Sequence, residues 1–442
     1  MKIQLSDHFD YKKLFRFTLP SIVMMIFTSI YGVVDGFFVS NFVGKTPFAA
    51  VNFIMPVLMI LGGMGFMFGT GGGALIAKTL GEGKREKANR IFSLLVYSAA
   101  ALGVLLAVLG IAFMREIASA LGAEGQMLAD CVLYGRIVLL ALPFLVLQFA
   151  FQSFFVTAEK PGLGLASTLA SGITNIVLDA LFMAVLGWGI TGAAAATALS
   201  QMVGGVFPLV YFSMPNKSIL RLGKTGFDGK SLLATCINGS SELTTNISMS
   251  VVNMLYNIQL NSYAGEDGIA AYGVLMYVNL VFISVFIGYS VGVAPVVGYH
   301  YGAGDKTELK NLRKKSLRII ISSSFVMFAL ALLLSRPLSG IFVGYDKALF
   351  DMTVHAFSIY SFSFLFAGVA IFGSSFFTAL NNGLVSALIS FLRTLVFQVL
   401  AVLVFPLIWE LNGIWFSIVA AEVMALMVTA AFLRGMKNKY GY

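Results

Sequence analysis

The chain of 442 residues repeats its own pattern of glycines at about half its length. The glycine-rich stretch 69–83 returns 221 positions later as the stretch 290–304, with Gly81 matching Gly302. An Ala-Ala pair and a Ser-Phe-Phe triplet recur at nearly the same spacing. Identity between the copies is low, so the order and spacing of the matches indicate the repeat. The chain is therefore expected to fold as two like halves.

Both halves are too apolar for a soluble protein. Hydrophobic residues make up 58% of the chain and charged residues 11%, against about 25% charged residues in a typical soluble domain. Apolar runs of about 18 residues or more are typical of membrane-spanning helices. Twelve such runs lie at roughly 14–39, 48–78, 91–114, 128–157, 163–186, 190–212, 231–262, 268–300, 317–342, 351–379, 384–408 and 412–433. These runs predict an all-α integral membrane protein with twelve transmembrane helices and exclude a disordered chain.

The polar stretch between the sixth and seventh runs divides the chain into two bundles. We predict an N-terminal six-helix bundle over residues 1–215, a cytoplasmic linker over residues 216–230 and a C-terminal six-helix bundle over residues 231–442. With six spans in each half, both halves enter the membrane from the same side. The repeats are thus parallel and pseudo-symmetric around a central cleft, an arrangement typical of secondary transporters.

Orientation follows from the lysines and arginines. Most of these 29 residues lie on one side of the predicted membrane, in the N-terminal segment, which includes Lys2, in alternate loops and near the C-terminus. A few, including Lys45, lie on the other side. Cationic loops remain in the cytoplasm during insertion. Both termini are therefore predicted to be cytoplasmic, and the net charge of +9 needs no nucleic-acid partner to explain it.

Two carboxylates lie within predicted spans of the first half, where an exposed charge would cost about 2.5 to 3.5 kcal/mol. Asp35 belongs to the first span and Asp179 to the fifth; Asn175 precedes Asp179 by four residues and shares its helix face, and Thr197 lies in the sixth span. Such oxygens can hold a proton in a low dielectric or ligate sodium. The sequence does not separate the two ions, and a purely structural hydrogen-bond network is the alternative.

The second half has its own buried charges. Glu242 and Glu422 are each predicted to be able to pair with Arg393, which lies in the eleventh span, and this charge network serves either function or packing alone. In the first half, Pro20 weakens the first helix before Asp35. Pro20 is therefore a candidate point of helix bending, with a static kink as the alternative.

Other chemistry finds little support. The glycine-rich segment 62–73 lacks the Gly-Lys-Ser/Thr ending of a phosphate loop. Cys131 and Cys236 have no metal-ligand spacing, and the three histidines are scattered. We therefore predict neither an enzyme nor a bound cofactor, and no metal beyond sodium at Asp35 and Asp179.

Several of these segments, taken in order, resemble the multidrug and toxic compound extrusion (MATE) transporters, in particular a prokaryotic branch with acidic residues in spans one and five. The resemblance covers essentially the whole chain and rests on Pro20 followed by Asp35, on the span-two ending Leu80-Gly81-Glu82-Gly83, on Asn175 to Asp179, and on Gly192-Ala193-Ala194 followed by Thr197.

The resemblance implies a monomeric antiporter in the inner (cytoplasmic) membrane. Such a protein exports amphipathic, often cationic organic compounds while protons or sodium ions flow inward. Its cation site would comprise Asp35, Asn175, Asp179 and Thr197, and its partners would be small organic substrates and membrane lipids.

The chain departs from the family in the second half. Some members have a carboxylate near the middle of span seven, where this chain has Met249, and Glu242 lies about two turns earlier. An alternative function is a flippase for a lipid-linked saccharide or another amphipathic lipid. A flippase that binds a pyrophosphate would place several cations in the cleft, where Arg393 is the one candidate that the sequence offers.

Overall fold

The computed structural model describes residues 3–442, apart from the side chain of Lys45. Lys2 and the Lys45 side chain, both used in the orientation argument, lie outside the described part. Throughout residues 3–442 the regular secondary structure is helical. A π-helical turn, Met67–Gly71, joins α2 to α3, and a second, Ala180–Val185, follows α7. The helices of the first half are α1 (Tyr11–Phe42), α2 (Lys45–Phe66), α3 (Gly72–Gly81), α4 (Arg85–Ala120), α5 (Gly125–Leu140), α6 (Leu142–Thr157), α7 (Pro161–Asp179) and α8 (Gly189–Ser213).

The second half follows an irregular segment between Ser213 and Gly229. A 3₁₀ turn, Ser361–Ser363, and a π-helical turn, Leu392–Val396, connect helices within it. Its helices are α9 (Gly229–Gly302), α10 (Lys306–Val343), α11 (Lys347–Tyr360), α12 (Phe364–Ala379), α13 (Gly383–Phe391), α14 (Phe397–Val404), α15 (Pro406–Gly435) and α16 (Lys437–Tyr440).

The number of spans agrees with the sequence. Ten helical segments within residues 3–442 are long and apolar enough to cross a membrane, and α5 with α6, bent by 58°, forms an eleventh. The 74-residue α9 is broken at Gly265, whose φ of 58° and ψ of −145° leave the helical region. Since α9 therefore counts as two spans, the twelve-helix prediction is confirmed.

Glycines bring the two halves together at one end of the molecule. A methyl group on Gly81 would overlap the carbonyl oxygen of Tyr299, and one on Gly302 would overlap that of Lys78. A methyl group on Gly71 would likewise overlap the carbonyl oxygen of Thr235 in α9. Backbones can approach this closely only where side chains are absent. We call this end, which carries the N-terminal segment and the basic loops, the cationic end.

Two polypeptide straps cross between the halves at the cationic end. The N-terminal strap, residues 3–10, precedes the first half but packs on α10 of the second: the Phe9 amide donates to Glu308 Oε1 (3.0 Å) and His8 Nδ1 lies 2.6 Å from Glu308 Oε2. The linker strap, residues 214–228, precedes the second half but packs on α4 of the first. There the Arg221 amide donates to Asn89 Oδ1 (2.7 Å). Each strap thus packs on the half that it does not lead into, as expected for two repeats with the same fold.

At the opposite end the halves separate. A recess of about 780 Å³ lies between α2 and α9. It is lined by polar and apolar side chains that include Asn52, Phe53, Asn253, Met254 and Asn257. The molecule is thus packed closed at its cationic end and recessed at the other.

Candidate functional site

The two carboxylates of the first half meet inside the bundle. Asp35 lies on α1 and Asp179 is the last residue of α7, directly before the π-helical turn. Their carboxyl groups lie close enough to each other to interact directly. Asp35 is 8% exposed and Asp179 is fully buried. π-Helical turns occur frequently at functional sites, and this one lies beside the carboxylate pair.

Polar groups from three helices surround the pair. Asn175, buried on α7, lies next to Asp35, although its amide nitrogen does not reach hydrogen-bond geometry. Tyr134 on α5 is fully buried and lies close to both carboxyl groups, with its hydroxyl next to Thr197 of α8. The sequence interpretation missed Tyr134. Nothing distinguishes it in the sequence from the other fifteen tyrosines, since only the packing of α5 against α8 brings it to the carboxylate pair.

The pair lacks hydrogen-bond donors. Within residues 3–442, no N–H or O–H group donates to either carboxyl oxygen of Asp179 or to Oδ1 of Asp35. The hydroxyl groups of Tyr134 and Thr197 also lack partners there. Two adjacent buried carboxylates repel each other when both are ionised. The arrangement is therefore stable only when a proton or another cation neutralises part of the charge.

The buried charges of the second half form one ion pair. Arg393, in the π-helical turn Leu392–Val396, donates through Nε to Glu422 Oε2 (2.9 Å) and through Nη2 to Oε1 (2.9 Å). Glu422 is 4% exposed. The sequence predicted that either Glu242 or Glu422 could pair with Arg393. In the structure Arg393 pairs with Glu422 and not with Glu242.

Glu242 instead faces a cavity between the two halves. The cavity has a volume of about 100 Å³ and is lined mainly by small and hydroxyl-bearing residues, among them Thr70, Ser153, Ser290 and Ser374. Arg393 also lines it. Glu242 and Arg393 thus share a cavity without forming a salt bridge.

Comparison with known proteins identifies the family. The sequence pattern of the MatE family matches residues 20–181 and again residues 243–403, one copy in each half. Together the matches cover most of the chain. The protein is a member of the MatE family. The resemblance on Pro20, Asp35 and Asn175 to Asp179 is thereby confirmed as membership of the MATE transporters.

Relatives within the family extend over nearly the full chain. The multidrug export protein MepA of Staphylococcus saprophyticus is 25% identical over 428 residues, which cover 94% of this chain and 92% of MepA. MepA of Staphylococcus haemolyticus is 26% identical over 435 residues, covering 97% and 94%.

Solved structures show the same fold. A MATE transporter crystallised in complex with MaL6 superposes with a TM-score of 0.93 at 22% identity, covering 98% of each chain. A multidrug resistance MATE transporter of the MOP superfamily in an outward-facing conformation also has a TM-score of 0.93 at 22% identity, covering 99% of this MatE protein and 98% of that chain.

Proposed function

We propose that this MatE protein is a secondary active antiporter that exports amphipathic, often cationic organic compounds in exchange for inward protons or sodium ions. The observation that carries the proposal is the closeness of Asp35 and Asp179, whose buried carboxyl oxygens accept few hydrogen bonds. A buried site whose charge must be neutralised by a small cation changes its energy whenever that cation binds or leaves. A site with this property can couple an ion gradient to a conformational change.

Helix α1 supplies the mechanical connection. Asp35 lies on α1, and the same helix packs against α9 of the second half: Ser29 Oγ donates to the Leu280 carbonyl oxygen (3.3 Å), and Gly292 packs on Thr18. α1 runs unbroken from Tyr11 to Phe42 through Pro20. A change of charge at Asp35 therefore acts on a helix that belongs to both the cation site and the interface between the halves.

Exchange requires only that the cation and the substrate stabilise different conformations. In the present conformation the cationic end is closed by the Gly81 and Gly302 contacts and the other end is recessed. Each charge that enters along the membrane potential contributes about 2.3 kcal/mol per 100 mV. For a singly charged cationic substrate, exchange for one cation is electroneutral, so the concentration gradient of the ion alone drives export. Exchange for two cations also draws on the membrane potential.

The proposed topology places the cationic end in the cytoplasm of a bacterial cell, with both termini there and the recess facing outward. The distribution of lysine and arginine supports this orientation. The MepA relatives, which are named as multidrug export proteins, support organic substrates. The pairing of Arg393 with Glu422 speaks against the flippase alternative, because it neutralises the one cation that the sequence placed within a span.

The test is export of a fluorescent organic cation from proteoliposomes under an imposed proton gradient or, separately, a sodium gradient. Wild type is compared with Asp35→Asn and Asp179→Asn, each expected to abolish gradient-driven export. Asp130→Asn is the matched control, since Asp130 is a buried carboxylate of the same bundle whose Oδ1 already accepts a hydrogen bond from Gln126 (2.9 Å).

The outcome with wild type identifies the ion, because only the coupled gradient drives export. Undiminished export by Asp35→Asn would contradict the proposed site. Absence of export under either gradient would contradict antiport itself, and lipid translocation would then be measured on the same proteoliposomes.

A further inference from the structure

At the edge of the cationic end, α4 and the linker strap enclose a basic recess that the proposed transport cycle does not use. The recess has a volume of about 720 Å³. Four cations line it from the start of α4, and the linker strap closes its other side. These cations are Lys84, Arg85, Lys87 and Arg90. Glu86 and Asp228 also line the recess, so the positive charge is only partly balanced.

Two of the four cations are unengaged. Lys84 pairs with Glu82 (2.8 Å), and Arg85 donates to the Ile219 carbonyl oxygen (3.3 Å). Within the described residues, the side chains of Lys87 and Arg90 make neither a hydrogen bond nor a salt bridge. These two positive charges are therefore available to a ligand.

The potential in the recess is positive enough to act on its own acidic neighbours. A hydrogen bond from Lys84, followed by the charges of Lys84, Lys78 and Lys87, lowers the pKa of Glu82. Hydrogen bonds with Ser231 and Lys230 lower the pKa of Asp228, and Lys87 contributes to that shift by its charge. Lys87 thus interacts electrostatically with carboxylates on both sides of the recess without pairing with either.

The recess lies at the end of an exposed, largely apolar stripe of α4. Arg90 lies on the same stripe of α4 as Tyr97, Val104 and Val108, at helical spacings of seven, fourteen and eighteen residues. These three apolar or aromatic side chains are 48%, 52% and 61% exposed, as expected for a face that contacts acyl chains. Arg90 therefore lies where that face reaches the membrane surface.

Phe227 extends the lipid-facing surface on the linker strap. It lines the recess and is 86% exposed, although it is a large apolar side chain. Two hydrogen bonds hold the strap that carries it to α4. The Gly223 amide donates to Ser93 Oγ (3.0 Å), and Thr225 Oγ1 donates to the Arg90 carbonyl oxygen (2.9 Å). An exposed aromatic ring beside lysine and arginine is typical of a segment that enters the headgroup region.

The corresponding region of the second half uses some of its cations internally. On α10, Lys315 Nζ donates to the Phe9 carbonyl oxygen (2.7 Å), and Arg313 lies over the ring of Tyr442 at 5.1 Å. Asp305, the repeat equivalent of Lys84, caps α10 by accepting from the Glu308 amide (2.9 Å). At the positions equivalent to Lys87 and Arg90 the second half has Glu308 and Asn311, which hold the N-terminal strap. Glu308 accepts from the Phe9 amide and Asn311 donates to the Phe9 carbonyl oxygen. Among the described residues, the first half therefore carries unpaired cations where the second half carries contacts to its strap.

We propose that the recess between α4 and the linker strap binds the phosphate headgroup of an anionic phospholipid of the adjoining leaflet. Lys87 and Arg90 contact the phosphate, and Phe227 enters the boundary between headgroups and acyl chains. The inference is independent of the direction and substrate of transport.

The test is native mass spectrometry of the delipidated full-length protein titrated with dioleoylphosphatidylglycerol, and with dioleoylphosphatidylcholine for comparison. Wild type is compared with Lys87→Gln/Arg90→Gln. The matched control is Lys310→Gln/Lys314→Gln, which removes the same charge from exposed positions at the start of α10. Each lysine or arginine near an anionic headgroup contributes about a fivefold change in affinity, so the first double variant is expected to bind phosphatidylglycerol about 30-fold more weakly.

A selective loss in the α4 variant, with the α10 control close to wild type, is the expected result. Equal losses in both double variants, or no preference for phosphatidylglycerol over phosphatidylcholine, would overturn the site. Displacement of the lipid by inorganic phosphate alone would overturn the assignment to a membrane lipid.

A second variant leaves every charge in place. Phe227→Ser is expected to weaken phosphatidylglycerol binding several-fold. The serine variant lacks the aromatic ring, whose apolar surface leaves water when the lipid binds. Unchanged binding by this variant would contradict the role given to Phe227 and with it the proposed orientation of the lipid.

Discussion

Gly81 and Gly302 occupy equivalent positions in the two repeats, and each lies against the backbone of the helix that carries the other. Gly81 packs on Tyr299 and Gly302 packs on Lys78. One pair of repeat-related residues thus closes the cationic end from both sides. Because the contact is between backbones, it can be tight in one conformation and absent in another without any side chain rearranging.

Gly81→Ala is expected to favour opening of the cationic end. The added methyl group would overlap the Tyr299 carbonyl oxygen, and overpacking of this kind costs about 1 to 3 kcal/mol. The readout is the rate at which Cys236 reacts with a thiol reagent, since Cys236 follows Thr235, whose backbone contacts Gly71. The rate is expected to rise.

The matched control is Gly162→Ala, because a methyl group there would meet no atom within 4 Å. Cys131 is fully buried and should stay unreactive throughout. Equal Cys236 reactivity in wild type and Gly81→Ala would show that this contact does not hold the cationic end closed.

Tyr134→Phe is expected to weaken cation binding at the carboxylate pair without unfolding the protein. The Tyr134 hydroxyl lies near both carboxyl groups and has no hydrogen-bond partner within residues 3–442. It is therefore available to the charged groups of the site when a cation binds, and a hydrogen bond to a charged group contributes about 1.5 to 3 kcal/mol. The concentration of coupling ion for half-maximal transport should therefore rise about tenfold or more. Tyr289→Phe, which removes a hydroxyl bonded to Ser316 in the second half (2.9 Å), serves as the control. An unchanged ion dependence in Tyr134→Phe would show that Tyr134 does not contribute to cation binding.

Breaking the ion pair of the second half is expected to destabilise the protein. Arg393→Met leaves the Glu422 carboxylate buried and unpaired, which costs about 3 to 5 kcal/mol. Replacing both partners, as in Arg393→Met/Glu422→Leu, should restore most of the stability because no buried charge remains. Melting temperatures in detergent measure both effects. A single variant as stable as wild type would indicate that the pair is solvated rather than buried.

Glu308→Gln is expected to loosen the N-terminal strap. The Glu308 carboxylate accepts from the Phe9 amide and contacts His8, and loss of its charge weakens both interactions. Hydrogen exchange at the Phe9 amide should accelerate about tenfold or more. Asp7→Asn is the control, since Asp7 lies in the same strap but pairs with Lys13 of α1 and, in the described part of the chain, forms no hydrogen bond or salt bridge with Glu308. Unchanged exchange at Phe9 would mean that other contacts hold the strap.

Much of the membrane architecture could be predicted because hydropathy and helical periodicity are local properties of the chain. The twelve spans follow from apolar runs long enough to cross a bilayer. Where the structure departs from simple spans, the cause is equally local: Gly265 breaks α9 with a positive φ, and Glu410, also at positive φ, interrupts α15. The role of Asp35, Asn175, Asp179 and Thr197 in cation coupling remains a prediction.

The neighbours of each buried group could not be predicted in the same way. From the sequence, either Glu242 or Glu422 could pair with Arg393. Only the packing of α15 against the segment that carries Arg393 brings Glu422 to it. Tyr134 lies 45 residues before Asp179 along the chain, and only the fold brings the two together.

The sequence by itself thus determined that the chain spans a membrane twelve times, that it consists of two similar halves and that charges lie within its spans. The tertiary structure decided which helices meet, how the straps exchange between halves and which end is closed. The physical reason is that burial in a membrane acts on each segment separately, whereas contacts such as Gly81 with Tyr299 depend on shape complementarity between segments far apart in the chain.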